Sequence, residues 1–285
     1  MPPNVVRAAL VGAYGLLLGA CAASSLHHAP QTAHAPTTEN RPSHDASAIA
    51  HSPHVRFGIP RDADPSDDQL LDRGAFVASY NPTRKLANWV AWRLTAADLG
   101  SAGRSRHFSA DSLLPTAERV FPDAYTRSGY DRGHLCPSSH RTRDADTNAT
   151  TFLMSNMHPQ VHALNAGPWK SAEMYEQKLA ATGKDVYVVA GGVFAKQPQT
   201  IGDGIPVPNA SFRIALVVDH AAPNSDVTPA TPLYAEEMPN NDSARGKPWS
   251  SFATRVDDVE RDTGYDFLAN LPDEVEAPLE ASARP

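Results

Sequence analysis

The sequence predicts an α+β domain, and three observations predict it. Short runs rich in β-branched and aromatic residues recur between Phe76 and Val218. A single helix-length segment follows two of them, and strands and helices do not alternate as a doubly wound parallel sheet would require. In order, residues 76–80 read as a strand, Asn81-Pro82 as a turn, and residues 89–94 as the returning partner. Residues 100–128, rich in Gly, Ser, Pro and Arg, read as a long surface loop. Residues 130–135 form a short strand, and the apolar run 151–155 has strand length. A helix is expected over 164–182, with Pro168 near its start and Gly183 as its stop. Trp169, Ala172, Tyr175 and Leu179 recur at helical spacing and should face the core. Residues 186–192 and 211–218 read as buried strands.

The ends set the expected organisation. Residues 8–19 are apolar, follow Arg7, and have the length of a signal peptide but not of a mature spanning helix. The run closes on Leu18-Gly19-Ala20-Cys21, which resembles a bacterial lipobox, so residues 1–21 are read as a signal peptide with Cys21 as the lipidated residue. An ordinary signal peptide with an incidental Cys21 stays open. Export is expected, as an envelope lipoprotein of the outer membrane or periplasm, or as a secreted protein. Residues 22–55, mostly Ala, Pro, Ser, Thr and His, cannot bury enough surface to offset ordering entropy and read as a disordered tether. Its histidines (27, 28, 34, 44, 51 and 54) are irregularly spaced and have no Cys companion, which suits a solvated linker better than a metal site. Residues 56–272 are then the folded domain and 273–285 an acidic tail.

Charge narrows the function. The formal net charge of −7 argues against a high-affinity nucleic-acid binder. The distribution is uneven, however. Residues 255–285 hold nine acids against three arginines, whereas residues 104–143 hold seven arginines against four acids. That positive region surrounds the chemistry-bearing stretch, residues 130–135. Of the two cysteines, Cys136 has no partner once Cys21 carries lipid, and it reads as a small buried apolar side chain.

Hydrolysing a phosphodiester requires a base for the attacking water and cations for the charge that builds on phosphate oxygens. His134 is unprotonated near neutral pH yet basic enough to serve, and Arg132 offers a charged fork matched to phosphate. On an extended segment the two point to one face, and Gly133 between them removes a side chain from the other. A structural arginine and a satisfied core histidine are the alternative. Asn165 and Glu173, eight residues apart on the expected helix, lie about 80° apart around it and about 12 Å along it. Asn165 as direct ligand and Glu173 acting through water fits that spacing. Oxygen donors of this kind suit Mg²⁺ or Mn²⁺.

Asp131-Arg132-Gly133-His134 resembles the signature of the DNA/RNA non-specific endonucleases, whose active site has the ββα-metal fold. The resemblance runs on through residues 151–157, Pro159-Gln160, Leu164-Asn165, Trp169, Glu173, Val207-Pro208, residues 211–213, Val259-Glu260 and residues 263–268. It covers about residues 70–272. It implies a mostly antiparallel central sheet with the active-site helix packed on it. It further implies His134 as general base, Asn165 as the sole direct protein ligand of one Mg²⁺-type ion, and Arg132 as a phosphate contact. Glu173 would position the metal's waters and Asn156 would line the substrate site. DNA and RNA would both be substrates, cut without a covalent intermediate to leave 5′-phosphates, with reading of backbone over base edges. Departures stand out: Cys136, Ser138-Ser139-His140, and above all Gln177, where many members carry an arginine. Losing a charged donor there would cost about 3 kcal/mol of transition-state stabilisation unless Lys170 or Lys178 compensates. Two other readings remain open: a catalytically weak nucleic-acid-binding lipoprotein, and a His-rich metal-binding surface protein.

Overall fold

The computed structural model describes residues 46–283; the signal segment, Cys21, and His27, His28, His34 and His44 lie outside the described residues. The first elements are α1 (Ala46–Ile49), β1 (Gln69–Asp72), β2 (Val77–Asn81), β3 (Leu86–Leu94), β4 (Asp131–His134) and α2 (Ala145–Thr150). Then come β5 (Met157–Gln160), α3 (His162–Leu164), α4 (Lys170–Ala181), β6 (Lys184–Val193), β7 (Thr200–Ile201) and β8 (Ile205–Pro206). β9 (Ala210–Asp219), β10 (Leu233–Pro239), α5 (Val256–Thr263) and α6 (Asp273–Glu280) complete the order.

Six strands pair in the order β1-β2-β3-β6-β9-β10, each antiparallel to its neighbour, so the fold is α+β. One row of register partners runs Trp92, Val188, Ala215, Tyr234 across the sheet. Alternation sends Val90, Trp92, Val188, Ala215 and Val217 to one face, where Trp169 and Ala172 cover them. It sends Trp89, Ala91, Ile214, Leu216 and Val218 to the other, beneath Val256, Val259 and Phe267. Burial on both faces is why these strands read as nearly unbroken apolar runs. A separate ribbon, β4 with β5, lies antiparallel with Gly133 opposite His158.

Four expectations change. Residues 151–155 are not a strand: Met154–Asn156 is a 3₁₀ turn, and pairing begins at Met157. Their apolar character belongs to a buried turn; Thr151, Phe152 and Met154 are all at most 1% exposed. The 164–182 helix is broken, because Asn165–Trp169 forms a wide turn in which Gly167 has non-helical backbone angles (φ −102°, ψ −117°). Gly183, at φ +90°, does end α4, a conformation that suits glycine. The tether stops earlier than residue 55: Ile49 and Val55 are buried, and His54 accepts from Arg93 N and bonds Gly74 O. The acidic tail also begins as structure, since α6 buries Leu279 in the second core.

Candidate active site

The β4–β5 ribbon presents the site. A Cβ on Gly133 would fall 2.2 Å from Gln160 Oε1, so the missing side chain makes room for that amide. Arg132 and His134 share one face, and the Phe108 ring touches both: 5.0 Å from the Arg132 guanidinium carbon and 5.8 Å from the His134 ring. Phe152 stands edge-on to the imidazole at 4.7 Å and 82°. Trp169, at the foot of α4, donates from Nε1 to His134 O at 3.0 Å, locking helix to ribbon.

Nε2 of His134 is buried and has no hydrogen-bond partner. The ring does bond the Arg132 backbone, so Nδ1 carries the proton and Nε2 keeps its lone pair. Burial pushes the imidazole down to about 3; the Arg104 charge adds to this, and the bond to Arg132 opposes it. The ring is therefore neutral at physiological pH. An orphaned, buried nitrogen is costly to keep; its lone pair is free, and the same burial makes it a weaker base than an ordinary imidazole.

Asp131, on the opposite face, organises the oxygen donors. Its Oδ2 accepts from Asn165 Nδ2 at 2.9 Å and from His162 Nδ1 at 2.8 Å. A carboxylate can only accept here, so the Asn165 amide must turn its NH₂ inward and leave Oδ1 free for a cation. Glu173 lies in the first turn of α4, its Oε1 3.8 Å from Arg213 Nη2. Burial pushes Glu173 up to about 7 against the pull of Arg213, with Glu176 adding to the rise. Amide and carboxylate oxygens without thiolate are the donor set that suits a hard divalent cation. The break at Gly167 means that Asn165 and Glu173 are not set by regular helical spacing.

The helix is anchored from below by charge. Arg213, 0% exposed, donates from Nη1 to Glu176 Oε2 at 2.6 Å and stacks 4.1 Å from the Trp169 ring centroid. His140 accepts from Trp92 Nε1 at 3.1 Å and donates to Glu173 O at 2.9 Å. Burial pushes His140 down to about 3, so it is neutral, in the one tautomer both bonds require.

Not every expected residue reaches the cleft. Arg132 gives Nε and Nη2 to Pro122 O, at 3.2 and 2.7 Å, and has Nη1 left over. Asn156 does not line the site: it is 0% exposed and its amide is fully committed. Its Oδ1 accepts from Cys136 N, and its Nδ2 donates to Cys136 O and Thr151 O. It shapes the turn after His134. Cys136 is buried, and its thiol is pushed up to about 12 by burial, as an inert apolar side chain would be. Gln177 Nε2 donates to Ser139 O at 3.3 Å, at the rim. The Lys170 charge acts on Glu173. One residue was not singled out from sequence. Arg104 lies 5.0 Å over the Phe152 ring, bonds Ser138 Oγ, and acts electrostatically on both His134 and Glu173. Its only sequence signal is membership of the arginine-rich stretch.

What these groups are equipped for is phosphodiester hydrolysis, and the chain is a phosphodiester hydrolase. The profile of the DNA/RNA non-specific endonucleases matches residues 56–274, and the chain belongs to that family. It is 37% identical over 238 residues to a nuclease of Nostoc sp., covering 81% of this chain and 85% of that one. It is 31% identical to a Serratia marcescens nuclease (76% and 81% covered) and 29% identical to bovine mitochondrial endonuclease G (76% and 73%). A crystal structure of the EndoG/EndoGI complex superposes with TM-score 0.68 at 24% identity, covering 81% of this chain and 95% of that one, a likeness of fold alone. The family's nucleases are metal-dependent.

Proposed function

We propose that this chain is an exported, Mg²⁺-dependent, sugar-non-specific endonuclease cutting DNA and RNA. The observation that carries the reading is the unpartnered, unprotonated Nε2 of His134, with the Arg104 charge acting on it and Arg132 on the same face of the ribbon. His134 takes the proton of the attacking water at Nε2. The free Nη1 of Arg132 and the guanidinium of Arg104 hold the phosphate and offset its growing negative charge. Asp131 keeps Asn165 Oδ1 free, so that Asn165 would hold one Mg²⁺ or Mn²⁺ and Glu173 would orient water around it. The ion, when bound, supplies Lewis-acid stabilisation of the leaving oxygen. Asn156 is a positioning residue in this scheme. Export rests on residues 1–21, with Cys21 as a lipid anchor to the membrane. The test is cleavage of supercoiled plasmid by protein lacking residues 1–21, with Mg²⁺, beside EDTA and His134→Ala controls. Cleavage lost in both controls supports base and metal together; cleavage surviving His134→Ala removes the assignment.

A further inference from the structure

Arg132, on the face of the ribbon that carries His134, rests its guanidinium on Pro122 O. Immediately beyond that carbonyl opens a cavity of about 550 Å³. Phe121 lies in its wall, half exposed at 50%; among the described residues only Met174 is another large apolar side chain so exposed. This ring, next in sequence to the Pro122 that holds Arg132, offers an uncovered flat face for stacking.

The same cavity is lined by Lys85 from the β2–β3 turn and by Arg127. Among the described residues neither has a carboxylate within ion-pairing distance, although the chain carries a formal net charge of −7. Both adopt left-handed backbone, at φ +56° and +58°, which non-glycine residues rarely do and which concentrates at functional sites. Arg119, also in the lining, is fixed by bonds to Leu114 O and Ser112 O. Asp123 and Asp203 face the cavity too, leaving three cations against two acids. That balance suits a single phosphate and its nucleoside better than a run of phosphates.

We propose that this groove is a subsite for one unpaired nucleotide flanking the scissile phosphate, its base stacked on Phe121 and its phosphate held by Lys85 and Arg127. The proposal rests on the nuclease reading and deepens it. Stacking on a side chain needs an open base face, which a duplex does not offer, so the groove favours single strands whatever their sequence or sugar.

The experiment compares three substrates: a 20-nucleotide single strand, the same sequence as a duplex, and bis(4-nitrophenyl) phosphate, which has no base to stack. Phe121→Ala and Lys85→Gln/Arg127→Gln variants are measured beside the unaltered protein, with thermal melts to verify folding. Phe121→Ala should raise KM for the single strand about tenfold. Its kcat, its KM for the duplex and its rate on the small ester should stay within about twofold. The double variant should behave likewise and flatten the salt dependence of KM. Equal losses on all three substrates, or an unchanged single-strand KM, would overturn the subsite. Fluorescence anisotropy of the labelled strand in EDTA separates the two readings. Binding in EDTA that weakens with Phe121→Ala, while the unaltered protein cleaves no substrate when Mg²⁺ is supplied, retains the groove and refutes the nuclease mechanism. Cleavage with Phe121-independent binding does the reverse.

Discussion

The two faces of the central sheet are equally dry but differently built. Behind it, Phe212, Ile214, Leu216, Val256, Val259 and Phe267 make an almost wholly apolar layer. On the site face the same strands bury Arg213 at 0% and Glu236 at 3%, and α4 adds Glu176 at 3%. Apolar packing of similar volume would be at least as stable there, since desolvating an ion pair costs about what its attraction returns. The charged face therefore gives up stability, and in exchange it fixes the carboxylate ends of α4 relative to the ribbon that carries His134. One face holds the fold together; the other aims the chemistry.

The sharpest way to break the comparison is to touch the chemistry alone. His134→Ala should lower kcat by about 10³–10⁴-fold, in the range of a lost general base, at a temperature where the variant is folded. The melting temperature should fall as well, because the ring packs on Phe108 and Phe152 and bonds the Arg132 backbone. Arg213→Met should do the opposite first: it strands Glu176 and destabilises by about 3–5 kcal/mol in urea unfolding. The double variant Arg213→Met/Glu176→Leu should regain most of that stability but not kcat. A double variant with full activity would show that the pair is only packing. On the apolar face, Phe267→Ala should cost about 3–5 kcal/mol with kcat unchanged at a temperature where the protein is folded.

A smaller effect is expected at the rim. Gln177→Arg places a cation beside Ser139, just past the base, and should raise kcat/KM by about tenfold if the site lacks a phosphate donor there. No change would mean that Arg104 and Lys170 already supply it.

How much of this was legible follows the same division. Strands β2, β3, β6 and β9 were readable because burial on both faces writes continuous apolar runs. The ribbon's Arg132, Gly133 and His134 were readable because alternation on a strand is simple. The run 151–155 misled because a buried turn has the same composition as a strand. The break at Gly167-Pro168 was hidden by good helical spacing on either side. Asn156 sits at the family's spacing, but spacing does not say which way a side chain points, and this one turns inward to hold Cys136 and Thr151. Arg104 comes from a loop, where no periodicity exists to place it. The helix α6 was masked by its acids, which conceal the apolar anchors Val275 and Leu279.

The buried carboxylate of Glu236 gives the finest test, because its cost depends on pH. Burial, and then the charge of Glu176, push it up to about 8, and its Oε2 has no partner. In the unfolded chain the same group titrates at an ordinary carboxylate value, near 4.3. Between those two values the folded state holds a proton that the unfolded state has released, so this group withdraws stability as pH rises, by up to about 1.4 kcal/mol per pH unit. Glu236→Gln keeps the shape and removes the titration. Its melting temperature relative to the unaltered protein should therefore climb steadily from pH 5 to pH 8 and level off above. A difference that stays flat with pH would mean that Arg213 neutralises Glu236 as a charged partner, and the site face would then hold a balanced ion cluster instead of a stored penalty.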